Sequence, residues 1–130
     1  MFQQEDWLLR QLATIAEALA ARLSGRKVEL VSMERLTARV GLDIDLLCQL
    51  PLEQIRGLIG EEDVTRLLAA GLMLATRATE LFALGDGSSA AWQAGRARQV
   101  LAGLVDAPGL SETDIDALLH TVEALQPLAD

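Results

Sequence analysis

Tyrosine is absent from this 130-residue chain, aromatic residues make up 3% of it, and cysteine and histidine occur once each. A single cysteine, Cys48, excludes an intrachain disulfide and agrees with a reducing compartment. Basic residues are scarce as well: eleven Lys and Arg face nineteen Asp and Glu, for a net charge of −8 and a pI near 4.6. Binding along a nucleic-acid backbone needs clustered positive charge, so that class of partner is excluded in general. Long apolar runs are missing too. The run LLAAGLMLAT between Arg66 and Arg77 is about half of what a membrane span needs. The start, MFQQEDWLLR, places acids where a secretory signal carries positive charge. The expectation is a cytoplasmic chain with no membrane segment.

What the sequence does have is leucine and alanine. Hydrophobic residues account for 51% of the chain, ample for one core, and Leu, Ala, Arg, Gln and Glu all rank high as helix formers. The composition predicts an all-α single domain over 1–130, a bundle or short helical-hairpin stack of about six helices. Leu8, Leu12, Ile15, Leu19 and Leu23 form one helical stripe, so an N-terminal helix is expected over 1–24, stopped by Gly25. Residues 25–60 read as a linker and short helices: one ends at Gly41, the next is capped by Asp43 and carries Ile44, Leu46, Leu47 and Leu50, and Pro51 opens another that ends near Gly60.

Three longer helices are expected over 61–126. The first, 61–84, opens on Glu61, Glu62 and Asp63 and has the stripe Val64, Leu67, Leu68, Gly71, Ala75, Ala78 and Phe82. Its small central residues would let a neighbouring helix come close. GDGSS breaks the chain before a helix over 90–105, and Ser111 with Asp114 forms a capping-box pattern for the last, with the stripe Ile115, Leu118, Leu119, Val122 and Leu125.

QEDWLLRQL followed by GLDIDLLCQLPLEQIRGLIG resembles a family of small bacterial all-helical proteins without an established activity. Its members open with an acid–aromatic–aliphatic–Arg motif and carry a Gly-Leu-Asp-hydrophobic-Asp-Leu-Leu segment before a Pro-containing turn. The resemblance covers roughly the first half of the chain, with Trp7 where the family prefers tyrosine, and it implies a fold rather than a reaction. In the second half, Ala78, Leu81, Gly85, Asp86, Ala90, Ala94 and Ala97 fall near the spacing of a tetratricopeptide helix hairpin. The first helix is longer than in that repeat, and no second copy follows, so the resemblance implies a repeat-like hairpin inside one bundle.

Catalytic patterns are not found. GxGxxG, Walker, CxxC and HExxH motifs do not occur, and GDGSS lacks the Lys-Ser or Lys-Thr that completes a phosphate cradle. His120 falls opposite the apolar stripe of its helix, Cys48 sits among leucines, and Asp43 and Asp45 point to different sides of a helix. The acids of 61–63 and 112–116 stand where helix dipoles favour them. No cofactor or metal is expected. Arg22, Arg26, Lys27, Arg35 and Arg39 concentrate positive charge, while 106–130 hold six acids and no Lys or Arg; the first reading is a solvated linker region, the second a polarity that orients self-association.

The tryptophans point elsewhere. Trp7 lies off the stripe of its helix, on the side of Gln11, Thr14 and Ala18, and Trp92 shares a side with Arg96, Gln99 and Gly103, opposite Ala90, Ala94, Ala97, Leu101 and Leu104. Aromatics beside arginine and small residues compose interface hot spots, and the Trp92–Arg96 spacing permits a cation–π contact. The other reading is a helix covered on both sides, with its indole in the core. The candidate interface is therefore Trp7, Gln11, Trp92, Arg96 and Gln99. The functional expectation is a non-catalytic helical interaction module that forms a homodimer or binds another protein. The alternative is a small-ligand sensor or enzyme whose Leu- and Met-lined pocket holds an anion on Arg77 or Arg98.

Overall fold

A computed structural model describes residues 41–42, 44–60, 63–107 and 110–129. The expected helix over 1–24, Trp7, Gln11, the basic cluster from Arg22 to Arg39, Asp43, Glu61 and Glu62 lie outside the described residues. Among those residues the protein is all-α, with five helices: α1 (Ile44–Gln49), α2 (Leu52–Ile59), α3 (Val64–Ala83), α4 (Gly87–Ala102) and α5 (Glu112–Ala129).

Helix α3 is the axis of the fold and packs against all four others. That position explains its composition: every residue from Leu67 to Thr76 is buried, so the uncharged run read in the sequence is a central helix covered on all sides. Among the described residues no helix is long and apolar enough to cross a membrane. Polar hydroxyls in this interior are satisfied locally. Thr76 donates to the Leu72 carbonyl at 2.8 Å, and Thr121 in α5 donates to Ala117 at 2.8 Å.

Helix α3 packs most extensively on α4, and α4 in turn on α5. The turn between α3 and α4 is three residues long. Gly85, at φ 87°, sits where the left-handed conformation is needed, with its N–H bonded to Phe82 O and the Asp86 N–H bonded to Leu81 O. The Asp86 side chain then accepts the Ser89 N–H at 3.2 Å and opens α4. This cap places the helix start at Gly87 rather than at the expected Ala90, because one aspartate both closes α3 and opens α4. Asp63 caps α3 in the same manner, accepting from Arg66 N at 3.1 Å.

The capping box of α5 is reciprocal. Ser111 N donates to Asp114 Oδ2 at 3.2 Å and Asp114 N donates to Ser111 Oγ at 3.1 Å. The helix runs through Pro127 to Ala129, past its expected end at Gln126. Its buried face is Ala117, Leu118, Thr121 and Leu125, which leaves Leu119, assigned to the core stripe from spacing alone, 44% exposed. Phe82, in the last turn of α3, is likewise outside the core, at 58% exposed.

The close approach expected at the small residues of α3 is present at Gly71. A Cβ there would lie 2.7 Å from Leu101 Cδ2, 2.9 Å from Leu101 Cγ and 3.2 Å from Val100 Cγ1. Gly71→Ala should therefore lose stability: overpacking costs about 1–3 kcal/mol, and the gain in helix propensity returns at most ~1 kcal/mol. At Gly57, where a Cβ meets nothing within 4 Å, alanine should stabilise by up to ~1 kcal/mol. Urea denaturation of the two variants checks the opposite signs.

Candidate functional site

The joint between α1 and α2 has a physical problem that α4 solves. Helix α1 has six residues, so most of its carbonyls have no partner within the helix, and Pro51 follows with no N–H to offer. Leu50 N reaches Leu46 O at 3.2 Å, and the rest of the end is satisfied from α4. Arg96 Nη2 donates to Leu47 O at 2.8 Å and also to Leu50 O, and its Nη1 donates to Cys48 O at 3.2 Å. Gln93, one turn earlier, donates from Nε2 to the same Cys48 carbonyl at 3.2 Å and accepts from Arg96 Nη1 at 2.8 Å. A planar fork of donors can serve several carbonyls at once, which an ammonium cannot.

Arg96 thus departs from the expected exposed surface: it is 6% exposed, drawn inward by the unsatisfied end of α1. Among the described residues it pairs with no carboxylate, and burial lowers its pKa from the ordinary arginine value. Trp92 keeps to the outside. At 53% exposed it is not core, and its ring lies 4.3 Å from the Arg96 guanidinium carbon, the cation–π contact permitted by the i, i+4 spacing.

Trp92, Arg96 and Gln99, named together from the sequence, line one open groove of about 500 Å³. The opposite wall is the joint itself: Gln49, Pro51 and Leu52. Sequence reasoning missed this wall, and missed Gln93. The available signal was a six-residue helix ended by proline, whose carbonyls require donors from elsewhere in the chain. Among the described residues no acid lines the groove and none pairs with Arg96, so its chemistry is an indole face, amide rims and a buried cation.

The other candidates are placed apart from it. Arg77 bonds Asp45 at 3.0 Å and lies 3.8 Å from Glu80, tying α3 to α1. Arg98 Nε donates to Val122 O at 3.1 Å and ties α4 to α5. Neither lines the second cleft, of about 370 Å³, whose arginine is Arg56, set against Val64, Leu67 and Leu104 with Asp106 at its edge. His120 is exposed. Among the described residues no three His, Cys, Asp or Glu gather as a metal site.

Cys48 is half-buried rather than enclosed, and burial pushes its thiol up, with the charges of Arg77 and Arg96 offsetting only part of the rise. The folded thiol therefore holds its proton more tightly than the unfolded one. Its stabilising contribution is complete below the unfolded pKa and is lost as pH rises through the folded value. Native Cys48 should react with iodoacetamide more slowly than an unfolded control at pH 7, and Cys48→Ala should flatten the alkaline decline of stability.

Arg96→Met should cost about 2–3 kcal/mol, since it strands buried carbonyls of α1, and Arg96→Lys should recover little of that loss. Chemical denaturation of the three chains is the measurement.

Compared with protein-family models, with curated proteins and with solved structures, the chain matches none. The roles of Trp92, Arg96, Gln93 and Gln99 are accordingly those that their geometry gives them.

Proposed function

We propose that this protein is a non-catalytic helical interaction module that associates with a second copy of itself through the Trp92 groove. The observation that carries this reading is the state of Trp92: an indole 53% exposed, yet held over a guanidinium that is itself fixed by three backbone carbonyls. An exposed aromatic normally loses rotamer freedom on binding. Here the ring is already supported, so the entropic cost of docking is reduced. Amide rims at Gln49 and Gln99 beside an aromatic anchor match the anatomy of an interface, with an apolar centre and a polar edge.

The small-ligand reading is favoured by one observation, the cleft at Arg56, whose guanidinium pairs with no carboxylate among the described residues. At about 370 Å³ it is near the lower end of ligand-pocket sizes and would take only a small anion with an apolar body. A rise in melting temperature with hexanoate, abolished by Arg56→Gln, would favour that reading over the interaction module.

Trp92→Ala tests the main reading. Sedimentation equilibrium should show association weakened by about 2 kcal/mol, roughly 30-fold in Kd, with helix content unchanged. A wild-type chain that remains monomeric at high concentration would overturn it.

A further inference from the structure

The groove and the outer face of α5 are chemically complementary. Along α5, Glu112, Asp116, Leu119 and Glu123 recur at spacings of four, three and four, which places them on one helical face, and all four are exposed. Leu119 is the apolar centre of that face, 44% exposed, with an acid one turn to either side. The groove has the opposite character: Trp92 supplies an apolar surface, Arg96 a buried positive charge with no carboxylate partner among the described residues, and Gln49 and Gln99 neutral hydrogen-bonding rims.

We infer that the α5 face of a second copy occupies the groove, with its Leu119 against the Trp92 indole and its Asp116 and Glu123 carboxylates at the Gln49 and Gln99 rims, in the field of Arg96. This rests on the self-association reading above and names the surface that meets the groove. A two-fold arrangement makes the contact twice, because each chain carries both the groove and the acidic face and α4 packs directly on α5. Charge complementarity decides between occupants. A face bearing carboxylates is attracted to a groove that holds a cation and, among the described residues, no acid, whereas a second tryptophan groove would place two Arg96 charges across from one another. The net charge of −8 makes undirected association of two copies unfavourable, so the cationic groove is where an acidic face gains.

The test is a complementation experiment by sedimentation equilibrium on the full chain. Trp92→Ala disables the groove, and the double variant Leu119→Ala/Glu123→Lys disables the α5 face; each alone should raise Kd at least tenfold with unchanged far-UV circular dichroism. Mixed in equal amounts, the two variants should associate more strongly than either alone, since the heterodimer keeps one intact groove facing one intact α5. Asp116→Lys, a single exposed change, provides a second disabled face should the double variant fold poorly. If Trp92→Ala weakens association while the α5 variants behave as wild type, or if mixing restores nothing, this docking is overturned and the self-association reading stands. A monomeric wild type removes both.

Discussion

The separation of α3 and α4 is set at the small residues of their seam, where the Gly71 backbone meets the Leu101 side chain directly. Gly71 faces Leu101 with no room for a Cβ, and Ala75, Ala78, Ala94 and Ala97 are all fully buried around that seam. Close approach there adds dispersion contacts to those of the buried leucines in the same core. Everything else is arranged from it. Helix α3 is covered on all sides, α4 is held with one face inward, and the residues next to its alanine stripe are carried to fixed positions against α1.

The Gln93–Arg96 pair depends on that placement. A buried arginine without a carboxylate is costly unless its donors are used, and the end of α1 supplies oxygens that would otherwise lack partners. The two Nη groups and the helix end resolve each other's deficit, while Arg96 Nε stays buried without a hydrogen-bond partner among the described residues. The result is a polar joint inside an otherwise aliphatic assembly, fixing the turn at Leu50 and Pro51 and supporting the Trp92 ring from below. Structure and proposed function meet at this point, since the same guanidinium that completes a helix end also presents an aromatic to a groove.

Much of the site could be read before any fold was known, although its meaning changed. The off-stripe position of Trp92 and its spacing to Arg96 follow from helical periodicity alone, and both hold in the structure. The inward position of Arg96 was not readable, because periodicity reports which side of a helix a residue occupies and not what lies against that side. Leu119 and Phe82 show the same limit from the other direction. Both fit an apolar stripe, and both are exposed, Leu119 because the buried face of α5 runs through Ala117, Leu118, Thr121 and Leu125 instead.

By itself the sequence determined the all-α class, the capping box at Ser111, the break at GDGSS, and the need for small residues along α3. Those are local matters, governed by dihedral preference and by hydrogen bonds within a few residues of one another. Only the tertiary structure decided that α3 is the central helix, that Arg96 faces inward to cap α1, and that residues 49–52 and 92–99 form two walls of one groove. Those facts join positions more than forty residues apart, where side chains are selected by the unsatisfied groups of a distant element that no local pattern encodes.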